Sequence, residues 1–285
     1  MYRFRVSLGV TAILVVFAVG VWMALGARPS DEPRDTSIVL VAGADPARAD
    51  LYRELQPVPL SDCTLKRYGE PNDGGYLLCE NLLGEVQAAY SYGIAGYDGW
   101  GCDVSKELGV RVHQYDCFDL TQPSCPGGDT VFHPACIAAE AYADADRRSF
   151  DTLQNHVAAN GDGGRTLLVK MDVEGAEWNA LLNAPEELLQ RIDQIAIELH
   201  GFKGDFETYL QVVRKLKNFF HVAHLHFNNY SCADGLQPFP AHAYELLFVS
   251  KRLATPAAPG DVKRPHPLDT PSNPEAPDCQ YAKGG

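Results

Sequence analysis

Apolar residues fall in short runs that alternate with segments of helical spacing. The apolar runs predict strands at 86–94, 110–115, 130–137, 166–171, 194–199, 220–227 and 243–249. Helices are predicted at 103–108, at 149–159, directly after 177, and at 206–219, where apolar residues recur every three or four positions. Because strands and helices alternate along the chain, we expect an α/β fold with a doubly wound, mostly parallel sheet.

The N-terminus carries an uncharged apolar run at 6–27, preceded by Arg3 and Arg5. About 20 apolar residues span a bilayer core, so residues 1–27 are predicted to form a short tail and one transmembrane signal anchor. The arginines and the amino terminus favour a cytosolic tail and a luminal main domain. This topology is typical of membrane proteins of the secretory pathway, for example those of the Golgi. The alternative is a signal peptide cleaved near 24–27, which would give a secreted protein.

Prolines indicate the remaining boundaries. Residues 28–56 are polar, contain three prolines and are predicted to form a stalk, which leaves 57–252 as the folded domain. Residues 253–285 contain seven prolines and are predicted to form an extended tail. Cys279, near the end of this tail, indicates that it is attached back to the domain.

The charge and the cysteines restrict the function. The 285-residue chain has a formal net charge of −13, which argues against nucleic acid as a partner, because a nucleic-acid-binding protein needs a basic face. Its eight cysteines lack the spacing of a zinc site and predict disulfides formed in an oxidising compartment, with buried thiols as the alternative. The pairing cannot be deduced, although Cys117, Cys125 and Cys136 are the first candidates.

A glycine-containing turn and an acidic residue follow the first two main strands. The segment Ser91-Tyr92-Gly93-Ile94-Ala95-Gly96 ends the first, and Asp116 ends the second. In doubly wound folds, such a turn lets the backbone approach a nucleotide, and the acidic residue accepts hydrogen bonds from ribose hydroxyls. The alternative is an ordinary tight turn and a solvated aspartate.

Later strand ends carry carboxylates and imidazoles. These residues are Asp172, Glu174, Glu198, His200 and His226. Because parallel strands share one carboxyl edge, we expect the side chains to meet there, where a histidine suits a general base for an alcohol substrate. Asp172, Glu198 and His200 are also candidate ligands of a divalent cation. The alternatives are that Glu174 and Glu177 only stabilise a helix N-terminus and that the histidines are structural.

The segment 170–178, Lys-Met-Asp-Val-Glu-Gly-Ala-Glu-Trp, resembles the signature of FkbM-type methyltransferase-like proteins, which are class I S-adenosylmethionine-dependent enzymes. Residues 68–76, Tyr-Gly-Glu-Pro-Asn-Asp-Gly-Gly-Tyr, resemble the entry motif of the membrane-anchored branch. The segments 91–96, 112–116, 197–200 and 245–249 follow in the order of that branch. The resemblance covers about residues 60–252.

The resemblance implies a Rossmann-like, seven-stranded sheet with an antiparallel last strand that binds S-adenosylmethionine. It assigns Gly93, Ala95 and Gly96 to the amino-acid portion of the cofactor, Asp116 to the ribose, and Phe132 and His133 to the adenine. It places Asp172 and Glu174 at the methyl group and the acceptor. On chemical grounds His200 or His226 is the candidate base, because a near-neutral pKa suits the removal of a proton from a hydroxyl. Ala95 stands where many methyltransferases have glycine.

The predicted function is therefore methyl transfer from S-adenosylmethionine to a hydroxyl acceptor such as a glycan sugar. One alternative is a membrane-anchored glycosyltransferase. Such enzymes usually hold a metal with an Asp-x-Asp pair, which the segment Asp172-Val173-Glu174 imitates only loosely. Another is an inactive methyltransferase fold that serves as an anchored binding module, which the alanine at position 95 favours.

Overall fold

The computed structural model describes residues 45–201, 204–258, 262 and 264–280. Within these residues no helix is long and apolar enough to cross a membrane. The predicted transmembrane anchor at 6–27 lies outside the described residues.

The described residues form twelve strands and six α-helices. The strands are β1 (Leu65–Tyr68), β2 (Tyr76–Cys79), β3 (Ala88–Tyr92), β4 (Arg111–Tyr115), β5 (Thr130–His133), β6 (Ala135–Ile137), β7 (Tyr142–Ala143), β8 (Ser149–Asp151), β9 (Leu167–Met171), β10 (Ile192–His200), β11 (Phe220–Phe227) and β12 (Ala243–Ser250). The helices are α1 (Pro46–Glu54), α2 (Gly99–Leu108), α3 (Leu153–Ala159), α4 (Glu177–Asn183), α5 (Glu186–Leu189) and α6 (Phe206–Lys217).

Seven strands form one sheet in the order β11-β12-β10-β9-β3-β4-β5. Neighbouring strands from β10 to β5 are parallel, whereas β12 runs antiparallel to both β10 and β11. The predicted doubly wound, mostly parallel seven-stranded sheet is therefore confirmed. Strand β9 lies between β3 and β10, and all five of its residues are buried, which explains its nearly continuous apolar sequence.

Two predicted elements each divide into two. Pro134 interrupts the segment 130–137, because proline has no N–H to donate to the ladder, and β5 and β6 consequently join different sheets. In the segment predicted as a helix over 149–159, the first residues form β8. The helix begins only after Thr152, whose side chain accepts a hydrogen bond from the backbone N–H of Asn155.

Helix α1 lies inside the segment predicted to be a stalk. Asp45 caps it, Pro46 occupies its first turn, and Leu51 and Leu55 are fully buried against the domain, where α1 packs on α6. The structure thus differs from the stalk prediction from residue 45 onward, because apolar residues in this short helix have a partner surface that the sequence pattern does not show.

All eight cysteines are paired, which confirms the predicted disulfides. The bonds join Cys63 to Cys79, Cys102 to Cys125, Cys117 to Cys136 and Cys232 to Cys279. The last bond attaches the proline-rich tail to the domain. Near it, the buried amide of Asn229 donates to backbone carbonyls of the tail, including that of Ala276, and accepts from the N–H of Asn273.

A largely buried cluster of stacked rings lies between one face of β3, β4 and β5 and helix α3. Its members are Tyr90, Tyr92, His113, Tyr115, His133 and His156. Burial lowers the pKa of His113 to about 4 and that of His156 to about 4. Both rings are therefore neutral at pH 7, although Asp162 lies 3.3 Å from Nε2 of His113.

This cluster predicts a loss of stability in acid. The unfolded chain binds protons on these histidines near pH 6.5, whereas the folded chain binds them only near pH 4, so the free energy of unfolding falls as pH drops between these values. His156→Phe keeps a ring against Tyr115 but cannot be protonated. Between pH 7 and pH 4.5, we expect the free energy of unfolding of this variant, measured with urea, to fall less than that of the unchanged protein, by on the order of 2 kcal/mol. An unchanged pH dependence would show that His156 already titrates normally in the folded state.

Candidate functional site

The turn after β3 has three residues in the left-handed region. Gly93, Ala95 and Gly96 have φ angles of 72°, 45° and 76°. A Cβ on Gly93 would lie 1.6 Å from the backbone oxygen of Asp172, so the ends of β3 and β9 approach as closely as glycine allows. Ala95 adopts its left-handed conformation despite its Cβ, at a cost of about 1 kcal/mol.

Asp116, at the end of β4, holds this turn. One carboxylate oxygen accepts from the N–H groups of Ile94 and Ala95, at 3.1 and 2.8 Å, and the other from those of Phe118 and Asp119, at 2.8 and 3.1 Å. A carboxylate offers about four acceptor positions, and four backbone donors fill them here. The first task of Asp116 is therefore to fix the turn. Its predicted contact with a ribose, which would replace some of these bonds, stays a prediction.

Lys170 connects the turn to Asp172. Its buried ammonium donates to the carbonyl of Gly93 at 2.8 Å and lies 3.8 Å from a carboxylate oxygen of Asp172. The hydroxyl of Tyr76, from β2, donates to that same oxygen at 3.1 Å. Burial and the charge of Asp172 raise the pKa of Tyr76, which therefore stays a donor at neutral pH. Asp172 is thus positioned by one hydrogen bond, from Tyr76, and by the nearby charge of Lys170.

A pocket of about 500 Å³ opens beside Asp172, at the carboxyl ends of β9 and β10. Its lining includes Asp73, Asp172, Glu174, Glu198, His200, Asn228, Tyr230, Ser231 and His242. The structure therefore brings together four of the predicted site residues, from two strand ends. Asp73 comes from the loop before β2, where burial and the charge of Asp172 raise its pKa.

His200 is held against the pocket wall by Glu177, which is fully buried. One oxygen of Glu177 accepts from the backbone N–H of His200 at 2.6 Å and lies 3.2 Å from Nδ1, and the other accepts from the N–H of Gly175 at 2.8 Å. Burial lowers the pKa of His200, but the hydrogen bond and charge of Glu177 raise it by more, so that it lies above the usual value. The pair leaves Nε2 directed toward the pocket carboxylates.

Glu198 is buried in the same wall. Its Oε1 accepts from the amide of Asn228 at 2.9 Å. Burial, and then the charge of Asp172, raise its pKa well above the ordinary value.

His226 has a different environment from the one predicted for a base. Its Nδ1 lies 3.0 Å from Glu245, and its Nε2 lies 3.0 Å from Asp278 of the tail. Burial lowers the pKa of His226, but these two carboxylates raise it to about 10. The ring is thus a buried imidazolium that links β12 to the tail, and an imidazolium cannot accept a proton. We therefore do not assign His226 the role of base.

His133 lies in the ring cluster, where its Nε2 is 3.0 Å from Nδ1 of His113 and its ring stacks on Tyr115. Its assignment to an adenine pocket stays a prediction.

Sequence reasoning missed Glu177 and Lys170. From the sequence, the role considered for Glu177 is stabilisation of a helix N-terminus, yet α4 buries it on the same face as Trp178 and Leu181. A charge on the apolar face of a helix was the available signal, as was a lysine inside the apolar run of β9.

Residues 126–231 match the family described as "Methyltransferase FkbM domain". The match includes Asp172, Glu174, Glu198 and His200, and it begins after the glycine turn. No curated protein matches the chain. Among solved structures, the fibrillarin pre-rRNA processing protein of Methanococcus jannaschii is similar, with 9% sequence identity, a TM-score of 0.33, and coverage of 59% of this chain and 68% of that chain.

Proposed function

We propose that the chain, whose residues 126–231 match the FkbM methyltransferase domain, is an S-adenosylmethionine-dependent methyltransferase acting on a hydroxyl of a sugar-like acceptor such as a glycan. The observation that carries the proposal is the pocket at the carboxyl edge of the parallel strands. It adjoins the glycine turn at Asp172 and is lined by His200, which the buried Glu177 orients from behind the pocket wall. In open α/β sheets this edge is where ligands bind.

The negative charge of the pocket lining fits a cationic cofactor. When bound, S-adenosylmethionine supplies a methyl group on a sulfonium sulfur, and the carbon–sulfur bond breaks as the acceptor oxygen attacks. The described residues that line the pocket include four carboxylates and no lysine or arginine, which favours a ligand with sulfonium and ammonium charges. Gly93, Ala95 and Gly96 would hold the amino-acid portion, and Asp116 keeps their turn in shape.

The pocket also fits a hydroxyl acceptor. The acceptor hydroxyl must lose its proton as the new bond forms, and His200 with Glu198 is the group in place to receive it, since Nε2 and Oε1 lie 3.7 Å apart. Glu177 fixes the ring so that Nε2 faces the pocket. Carboxylates of Asp73 and Glu174 would accept hydrogen bonds from neighbouring hydroxyls of a polyol.

We further propose the luminal placement, with residues 1–27 as a membrane anchor and 253–285 as a tail. The four disulfides support an oxidising compartment, in which such bonds persist.

Calorimetry tests the cofactor assignment. We expect S-adenosylmethionine to bind and a nucleotide sugar not to bind. Asp116→Ala should weaken S-adenosylmethionine binding at least tenfold, because the glycine turn loses the acceptor for the N–H groups of Ile94 and Ala95, whereas Asp146→Ala, on the surface, should leave it unchanged. Binding of the nucleotide sugar alone would indicate a glycosyltransferase, and binding of neither an inactive module.

A further inference from the structure

The imidazole of His200 faces three carboxylates at an unusual spacing. Nε2 lies 3.5 Å from Glu174, 3.7 Å from Glu198 and 3.9 Å from Asp172. Hydrogen bonds between such charged groups measure about 2.7–2.9 Å, so none of these separations is a hydrogen bond. Two ligands of one metal ion, each about 2.1 Å from it, lie at most about 4.2 Å apart. All three separations satisfy this second condition.

Three of these side chains can reach one ion together. One ligand atom each from Asp172, Glu174 and His200 lie within 4.8 Å of one another. The side chain of Glu174 is 80% exposed, so it can move the remaining few tenths of an ångström without disturbing the core. Asp172 and His200 are fixed by their neighbours, and a site with two fixed ligands and one adjustable ligand can close around an ion.

The position of Glu177 is independent support. In metal sites, a ligating histidine typically donates its other ring N–H to a carboxylate, which sets the tautomer and the ring orientation. Glu177 occupies this place at Nδ1 of His200 and is fully buried. The lone pair of Nε2 is thereby directed toward Asp172 and Glu174, as a metal ligand requires.

We propose that Asp172, Glu174 and His200 bind a divalent cation of the Mn²⁺ type in this pocket. Two carboxylates suit a hard cation, and the imidazole favours a transition ion over Ca²⁺ or Mg²⁺. The ion would offset part of the charge of the four carboxylates that line the pocket. The sequence-based ligand set of Asp172, Glu198 and His200 thus changes by one residue, since Glu174 projects into the pocket and Glu198 is bonded to Asn228.

The use of the ion in methyl transfer rests on the proposed function, whereas its binding does not. A bound cation would hold an acceptor hydroxyl and lower its pKa, which makes deprotonation easier. In that state His200 is a ligand, and Glu198 is the neighbouring group left to receive the proton.

Binding of Mn²⁺ to the full chain, measured without cofactor by loss of the free-ion electron paramagnetic resonance signal, tests the site. We expect saturable binding of one ion. Glu174→Gln should weaken it at least tenfold, because an exposed side chain can change without unfolding the protein. The matched Glu187→Gln, on the exposed side of α5, should leave the affinity unchanged. His200→Asn should also weaken binding at least tenfold.

The outcomes separate the two proposals. Equal Mn²⁺ affinity in Glu174→Gln and in the unchanged protein, or no saturable binding, would overturn the cation site. Binding of S-adenosylmethionine in the presence of a chelator would leave the proposed function in place in that case. Saturable Mn²⁺ binding by a chain that does not bind S-adenosylmethionine would instead retain the cation site and reject the methyltransferase.

Discussion

Replacement of His200 by asparagine is expected to reduce the turnover of methyl transfer about 100-fold or more, while the affinity for S-adenosylmethionine changes by less than about twofold. The asparagine amide can take the place of Nδ1 and keep a donor for Glu177, so the buried carboxylate stays paired. What the variant lacks is Nε2, the ring atom that faces the pocket. The loss should therefore appear in turnover rather than in cofactor binding.

The control is His221→Asn. His221 lies near the start of β11, away from the pocket lining, and should retain full turnover. Transfer of a labelled methyl group to a panel of polyols, with thermal unfolding of each variant alongside, provides the measurement. Full turnover in the His200 variant would remove this residue from the reaction, both as proton acceptor and as metal ligand.

The sheet was predictable from the sequence because a central parallel strand is buried on both faces. The segment Leu167–Met171 has an apolar run that neither helix spacing nor strict alternation explains, and a polar stretch follows where the strand leaves the core. The same reasoning located β3 and β10. Strand order, in contrast, follows from contacts between distant segments, and the expected antiparallel last strand came from the family resemblance rather than from the pattern.

The site was predictable at the level of strand ends. Asp172 and His200 end neighbouring parallel strands, so their proximity follows from topology alone. His226 shows where this reasoning stops. It also ends a strand of the same sheet, but a carboxylate from the proline-rich tail, Asp278, occupies its Nε2. A tail contact across about 50 residues has no local signal in the sequence.

Charged residues that act inside the protein were the main omission. Glu177 and Lys170 each have apolar neighbours in the sequence, which predict a buried segment. Charged residues are usually exposed, so neither residue is expected to act inside the protein. Only the fold shows that Glu177 has three donors and that Lys170 has the carbonyls at the end of β3. Both residues support the pocket and the turn, which sequence reasoning treated as separate features.

Replacement of Gly93 by alanine is expected to lower the free energy of unfolding by more than about 3 kcal/mol and to abolish binding of S-adenosylmethionine. The new Cβ would lie 1.6 Å from the backbone oxygen of Asp172, so β3 and β9 would have to separate at the edge where the turn meets the pocket. A left-handed φ of 72° adds a further cost of about 1–2 kcal/mol for a residue with a Cβ. Urea unfolding and calorimetry measure the two effects.

Gly109→Ala isolates the contribution of the clash. Gly109, which ends α2, has a similar φ of 65°, but a Cβ there would meet nothing within 4 Å. Its substitution should lower the free energy of unfolding only by the cost of a left-handed conformation, about 1–2 kcal/mol, and should leave cofactor binding unchanged. Equal losses of stability in the two variants would show that backbone conformation alone requires glycine at position 93. A larger loss in Gly93→Ala together with loss of binding would instead show that the close approach of β3 to Asp172 is what joins the turn to the pocket.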